Sequence, residues 1–308
     1  MRVWDGDSRE WQVIETMNVV ILGNPDSWYV ADLERAAVPR GIRVDRWDFT
    51  RLAAEVSSAR HVIRQGDETL DGIDAVIVRT MPPGSLEQVV FRMNLLGRME
   101  AAGVTVLNTA RALECAVDKY LTTAVLQQAG LPVPETFVCE TAEAALEEFP
   151  RLGGDVVVKP LFGSEGRGIV RVSDPDLGLR VFRAIERTGG LLYLQRFVEH
   201  EGFDTRALVL DGKILDGMKR RSTSDFRTNV SRDAVPEPYD LTEREQDFAL
   251  RAAAATGVRF AGVDLLYDRS GELYVIEVNA VPGWRAFQRV TGIDVADRVF
   301  TALEKRPG

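Results

Sequence analysis

Residues 260–279 read FAGVDLLYDRSGELYVIEVN. Two apolar runs flank Asp268-Arg269-Ser270-Gly271, which is turn chemistry for a β-hairpin. With Ser270-Gly271 as a two-residue loop, Arg269 pairs with Glu272, and counting outward in antiparallel register sets Asp264 opposite Glu277. Side chains two apart share a strand face, so Asn279 joins Glu277 there. Two carboxylates and an amide therefore converge inside runs of Val, Ile and Leu. Like charges directly opposite each other destabilise a sheet, and carboxylates are rarely buried without something positive between them. A hard divalent cation meets that need, because Mg2+ takes oxygen ligands and is commonly held by one or two carboxylates together with substrate phosphates. The competing reading, a solvated hairpin end with a turn-capping acid, fits less well, since both acids lie within the apolar runs and not at their margins.

Upstream, residues 155–172 read DVVVKPLFGSEGRGIVRV. A buried strand over 156–158 ends in Lys159 and runs into a loop with Gly163, Gly166 and Gly168. Glycines let backbone amides approach an anion closely, and such concave arrays bind phosphate. Lysine precedes the glycines, so this is not a Walker motif. A glycine-rich turn alone is often only a hairpin; Lys119, expected nearby as a second ammonium, tilts the reading to phosphate. Further on, Lys219, Arg220 and Arg221 are followed by SDFRTN over 224–229. Such a run is usually a solvated face, but here it lies between strands expected beside the hairpin of Asp264 and Glu277.

The N-terminal part alternates in the α/β manner: strand 18–22, helix 31–40, strand 42–47, strand 75–79, the turn MPPG, helix 86–102 and strand 104–108. Strands alternating with amphipathic helices imply a parallel sheet covered on both faces. Gly23-Asn24-Pro25 after the first strand lacks the GxGxxG fingerprint. Open α/β sheets nevertheless hold ligands at their strand ends, and Arg79 is the residue placed for it, with a surface arginine as the equally weighted reading. A helix over 115–129 ends at Gly130, followed by strand 136–140 and helix 142–149. Strands over 191–197, 204–210 and 214–219, the second pair joined by Asp211-Gly212, precede a helix over 243–256.

The 308 residues suffice for two or three packed units. A net charge of −9 argues against non-specific nucleic-acid binding. Cys115 and Cys139 are the two cysteines, far apart and without nearby histidines, so neither zinc nor a disulfide framework is indicated. His61 and His200 fall in no motif. No apolar run is long enough to cross a bilayer, and residues 1–16 lack the core of a signal peptide, so a cytoplasmic location is expected.

Taken in order, Lys119 in VDK, VVKPLFGSEGRG, QRFVEHEGFDTR, SDFRTN, AGVDLL and IEVNAVPG resemble the ATP-grasp superfamily, most closely its RimK-like branch of glutamate ligases. The resemblance runs from Met17 to about Glu304. It implies an α/β fold, α+β in its C-terminal part, with an extension of uncertain order over 1–16. A Rossmann-like pre-ATP-grasp domain would follow over 17–109, a central ATP-grasp subdomain over 110–190 and a C-terminal one over 191–308. It further implies that Lys119 and Lys159 bind the ATP phosphates under a loop containing Gly163, Ser164, Gly166 and Gly168. Gln195, Arg196, Phe197 and Val198 would form the segment that reads adenine, with Asp204 near the ribose. Asp264, Glu277 and Asn279 would hold two Mg2+ ions, Mn2+ being an alternative. Arg227 and Asn229 would contact the triphosphate and the activated acyl group, with Arg206 and Arg220 close by. Three departures stand out: the family's Gln-Glu at the hinge is Gln195-Arg196 here, its Gly before Asp-Phe-Arg is Ser224, and the loop after the hinge is shorter than the family's by about one residue.

Ligation by this route needs positioning and charge neutralisation more than a covalent nucleophile, which suits Lys, Arg and Mg2+. The expected enzyme is an ADP-forming carbon–nitrogen ligase that makes an acyl phosphate and then an amide. Asp264→Asn or Glu277→Gln is expected to abolish ligation with the fold intact. Residues 79–96, RTMPPGSLEQVVFRMNLL, resemble a subgroup that adds glutamate to pterin-type cofactors such as tetrahydromethanopterin. Expected partners are therefore ATP, L-glutamate and a small-molecule carboxylate acceptor in a homo-oligomer, with no nucleic acid and no membrane. The alternatives are a ligase acting on a protein C-terminus or carrier protein, which an acidic surface disfavours, and a non-catalytic ATP-binding regulator.

Overall fold

A computed structural model of the chain describes residues 16–163, 167–222 and 234–305, together with the backbone of 2–5 and 10–13. It divides into two compact units, Met1–Ala110 with Asp294–Gly308, and Arg111–Ile293.

In the first unit, β1 (Arg2–Asp5) and β2 (Glu10–Val13) pair antiparallel within the leader. Then follow β3 (Asn18–Leu22), α1 (Trp28–Ala37), β4 (Arg43–Trp47), β5 (Leu52–Val56), β6 (His61–Gln65), β7 (Glu68–Thr69), β8 (Ala75–Val78), α2 (Leu86–Ala101) and β9 (Thr105–Leu107). Strands β4-β3-β8-β9 form a parallel sheet in that order, while β5 to β7 form a separate antiparallel sheet in a stretch without a sequence assignment. The apolar runs of β3 and β8 are almost wholly buried, as a parallel sheet covered on both faces requires. From central β3 the chain moves to β4 on one side and then to β8 on the other. Arg79, just past β8, is 7% exposed, so the surface-arginine reading does not hold.

The second unit starts with α3 (Ala110–Val117) and α4 (Lys119–Gln128). The single helix expected over 115–129 is thus two. Asp118 adopts an extended conformation (φ −88°, ψ 105°) and its side chain accepts from Leu121 N at 3.0 Å, an N-cap that restarts the helix at Lys119. Next come β10 (Thr136–Cys139), α5 (Ala142–Glu148), β11 (Val156–Lys159), β12 (Val170–Val172), α6 (Pro175–Arg187) and β13 (Leu192–Arg196). They build an antiparallel sheet, β10-β13-β11-β12, whose Val156, Val158, Leu192 and Leu194 pack against Phe149 and Phe182. This leaves the alternate side chains, Lys159, Tyr193 and Gln195, on the other face.

A second antiparallel sheet, β16-β15-β14-β17-β18, comprises β14 (Phe203–Leu210), β15 (Lys213–Arg221), β16 (Val235–Pro238), β17 (Phe260–Tyr267) and β18 (Leu273–Asn279). Asp211 (φ 48°) and Gly212 (φ 69°) make the tight turn between β14 and β15. Helix α7 (Glu243–Thr256) packs on β14, β17 and β18. Its fully buried Glu245 accepts from Thr205 Oγ1 (3.0 Å), which marks the α7 side of the sheet. The opposite face presents Asp204, Arg206 and Asp264. Helix α8 (Arg285–Thr291) closes this unit. The last helix, α9 (Val295–Glu304), belongs to the first unit: Arg40 Nη2 donates to Asp297 (2.7 Å) and Arg35 Nη2 to Asp294 (2.7 Å).

Candidate active site

The hairpin brings its two acids together by an unexpected route. Tyr267 pairs with Leu273, so five residues connect the strands, organised by Asp268, whose Oδ1 accepts from Ser270 N (2.8 Å), Ser270 Oγ (2.7 Å) and Glu272 N (2.9 Å). This register is offset by one from the two-residue loop expected. A β-bulge then restores it: Leu265 pairs with Val275 but Asp264 with Glu277, leaving Ile276 as the extra residue. Asn279 lies opposite Gly262.

Across the sheet, Arg206 pairs with Asp264 and Arg220 with Asp204. Arg206 donates from Nε and Nη2 to the two Asp264 oxygens at 2.6 and 2.7 Å. Arg220 grips both Asp204 oxygens, Nε to Oδ1 at 2.7 Å, and its Nη2 lies 2.9 Å from Asp264 Oδ2. Burial works against the Asp264 charge, but Arg206 and Arg220 outweigh it and hold its carboxyl below the ordinary carboxylate range. Arg220 in turn is desolvated, yet Asp204 and Asp264 raise its pKa. The three-cation run is split by strand alternation: Arg220 faces these acids, whereas Lys219 Nζ sits 4.3 Å from the Phe203 ring and Arg221 lies 5.1 Å from the same ring on the α7 side.

The central sheet brings the ammonium groups. Lys159 Nζ donates to Gln195 Oε1 (2.6 Å), and Gln195 Nε2 donates to Thr136 Oγ1 (3.0 Å) and Tyr193 OH (3.3 Å). Burial pushes the Lys159 ammonium down to about 8, against the pull of Glu277. Lys119 Nζ donates to Gly163 O at 2.9 Å, tying the start of α4 to the glycine loop, and burial lowers its pKa as well. Gly168 (φ 74°) occupies the left-handed region, and a Cβ there would stand 3.4 Å from Pro160 Cγ; its backbone needs glycine.

A cleft of about 1120 Å³, counting space open to solvent, lies within this unit. Of the residues singled out in the sequence, Lys119, Lys159, Gly163, Gln195, Arg196, Phe197, Val198, Asp204, Arg220, Asp264 and Glu277 line it. Arg206 and Asn279 stand beside it through their pairing with Asp264 and Gly262, and Gly168 stands behind Pro160. Ser164, Gly166, Arg227 and Asn229 lie outside the described residues. Sequence reasoning missed Tyr193, Thr123, Leu266 and Ile276 as lining residues; alternation from Gln195 and Asp264 points to Tyr193 and Leu266, and nothing local points to the bulged Ile276.

Asp264, Glu277 and Asn279 offer oxygen ligands: Asp264 Oδ1 accepts from Arg206 alone and keeps a lone pair, whereas its Oδ2 meets both Arg206 and Arg220. That donor chemistry fits a hard divalent cation. Among the described residues no group of three or more His, Cys, Asp and Glu gathers, so such an ion would complete its shell from water and substrate oxygens.

A family model described as the RimK-like ATP-grasp domain matches residues 116–303, and one described as the RimK PreATP-grasp domain matches residues 17–113. The chain is 29% identical over 317 residues to a tetrahydromethanopterin:alpha-L-glutamate ligase of Methanosarcina acetivorans, covering 92% of this chain and 98% of the relative. To the enzyme of the same name from Methanococcus maripaludis it is 32% identical over 241 residues, covering 77% and 80%. Among solved structures, the ATP-grasp ligase PsnB complexed with minimal precursor superposes with a TM-score of 0.73 at 24% identity, covering 94% of this chain and 99% of PsnB. A RimK domain ATP-grasp protein from Sphaerobacter thermophilus gives 0.72 at 22%, covering 94% and 100%. These superpositions establish the fold, and the family matches span both units: the chain belongs to the RimK-like ATP-grasp family of ligases.

Proposed function

We propose that this ligase uses ATP to phosphorylate a carboxylate of a small pterin-type cofactor and joins the resulting acyl phosphate to the amino group of L-glutamate, releasing ADP and phosphate. One observation carries the reading. A single cleft holds two desolvated ammonium groups, Lys159 and Lys119, together with the acids Asp264 and Glu277. Ammonium groups on one side of a cleft, and acids able to hold a divalent cation on the other, suit a nucleotide whose phosphates are neutralised from both sides. Lys119 and Lys159 bind phosphate oxygens, and the loop of Gly163 to Gly168 folds over them. Gln195, Arg196, Phe197 and Val198 receive the adenine, with Asp204 toward the ribose. Arg206 and Arg220, with Arg227 and Asn229, stabilise charge on the transferred phosphoryl group and on the oxyanion formed when the amine attacks. Two Mg2+ ions, or Mn2+, would be held by Asp264, Glu277 and Asn279 and would supply further neutralisation of phosphate charge.

The pterin-type acceptor and glutamate are supported by the names of the Methanosarcina and Methanococcus relatives. A net charge of −9 also disfavours an acidic protein tail as acceptor. The homo-oligomer is part of the same reading and is checked by light scattering. Incubating the chain with ATP, Mg2+, L-glutamate and a pterin-type acid tests the function. ADP release that depends on the acid, with a mass gain of one glutamyl residue, is expected. ADP release only with a protein tail would reassign the acceptor, and ATP binding without turnover on any acid would leave a regulator.

A further inference from the structure

We propose that the first unit carries a carboxylate-binding site at the carboxyl ends of β3 and β8, with Arg79 as the residue that recognises the anion. Strand order reverses between these two strands, one leading to β4 on the left and the other to β9 on the right. Open parallel sheets hold ligands at such a crevice, because the connections diverge there and leave it uncovered by crossing helices.

Arg79 is built into that point. Its backbone N donates to Leu22 O, the end of β3, at 2.8 Å, and Thr80 N donates to the same oxygen at 3.2 Å. Its guanidinium lies over the ring of Tyr29, 4.9 Å from the centroid. Burial lowers its pKa to about 10, which leaves it charged at neutral pH. The loop after β3 comes close: a Cβ on Gly23 would fall 2.9 Å from Val30 Cγ2 and 3.3 Å from Arg79 Cβ.

Two further cations reach the same loops. Arg46 Nη1 donates to Gly23 O at 3.2 Å, and buried Arg92 donates to Pro82 O at 2.6 Å, within the connection that begins at Arg79. Tyr29 stands in the first turn of α1, which contains no acidic residue and whose Ser27 makes no side-chain cap. Arginines from β4, from just past β8 and from α2 thus reach the loops at this end of the sheet, beside a helix start of positive potential. A guanidinium carries its donors in a planar fork, the geometry that matches a carboxylate. Resting on the ligase reading, the ligand is a carboxylate of one of the two acids that the reaction consumes, the amino acid or the acceptor.

The full chain is tested with Arg79→Gln and Arg79→Lys. Arg79→Gln should raise KM for one of the two acids about tenfold or more, with kcat changed less and ATP affinity by calorimetry unchanged. Arg79→Lys should recover only part of that loss, since it keeps the charge but not the fork. The acid whose KM moves identifies the source. Unchanged KM for both acids overturns the site. If Arg79→Gln also weakens ATP binding, Arg46→Gln at the crevice edge replaces it, with the same KM shift expected and an unchanged KM counting against the proposal. Thermal shifts with L-glutamate or acceptor alone, without ATP, separate this site from the ligase reading. A shift present in the natural chain and lost in Arg79→Gln supports the site even if turnover fails, whereas a shift that persists, or none with either acid, overturns it.

Discussion

Arg206 and Asp264 face each other across β14 and β17 and share two hydrogen bonds, of 2.6 and 2.7 Å. The acid expected to serve only as a metal ligand is therefore also the centre of a buried charge network completed by Arg220 and Asp204.

Asp264→Asn should accordingly cost stability as well as activity, against the expectation of an intact fold. Breaking a buried pair from one side costs about 3–5 kcal/mol, because the remaining charges stay desolvated. Thermal unfolding should show a midpoint lowered by roughly 10 °C.

Glu277→Gln separates the two effects. Glu277 is only half-buried, so its loss should change stability by less than about 1 kcal/mol. ADP release should nonetheless fall by about a hundredfold or more, the scale of losing one electrostatic contact to the transition state. Near-normal turnover would remove Glu277 from the metal set.

A divalent cation and Arg206 compete for the same Asp264 oxygens. In Arg206→Met the carboxylate keeps only its bond to Arg220, so Mn2+ should bind the nucleotide-free protein about tenfold more tightly, a difference of about 1.4 kcal/mol. Electron paramagnetic resonance of free Mn2+ reads this directly; unchanged or weaker binding would show that the arginine does not screen the site.

Lys159 gives a pH dependence with two signs. It titrates at about 8 in the folded protein against an ordinary 10.5. Between those values the unfolded chain holds a proton that the folded chain has lost, so folding stability rises with pH through that window. ATP binding goes the other way, because phosphate favours the charged ammonium, and affinity should fall by up to about tenfold per pH unit above about pH 8. Calorimetry in buffers of different ionisation heat should show proton uptake approaching about one per ATP near pH 9 and about a tenth near pH 7.

Gly168→Ala forces a side chain into the left-handed region and toward Pro160. The backbone cost is about 1–2 kcal/mol, and ATP affinity should drop with it if this loop covers the phosphates. Unchanged affinity by calorimetry would detach the loop from nucleotide binding.

How far these features were legible depends on range. Alternation and turn chemistry revealed the parallel sheet, the Asp211-Gly212 hairpin and the facing of Asp264 and Glu277. The last came out correctly through two errors that cancel, since a longer turn shifts the register and Ile276 shifts it back. Asp118 before Lys119 was a cap signal hidden inside a continuous apolar period, so two helices read as one. The pairings of Arg206 with Asp264 and of Arg220 with Asp204 depend on strand neighbours distant in the chain, which no local pattern encodes. Lys219 and Arg221 read as one patch with Arg220 only because a run of like charges conceals the two-residue period of a strand.

The bulge at Ile276 also sets a length. In a regular strand, side chains that share a face recur about 6.6 Å apart. Here two neighbouring residues, Ile276 and Glu277, both line the cleft while Val275 and Val278 stay in the core. The apolar wall and the negative charge consequently sit one residue apart, a spacing no unbroken ladder can offer. A molecule spanning both must change from greasy to charged within that short step, so the bulge works as a ruler for the occupant of the cleft.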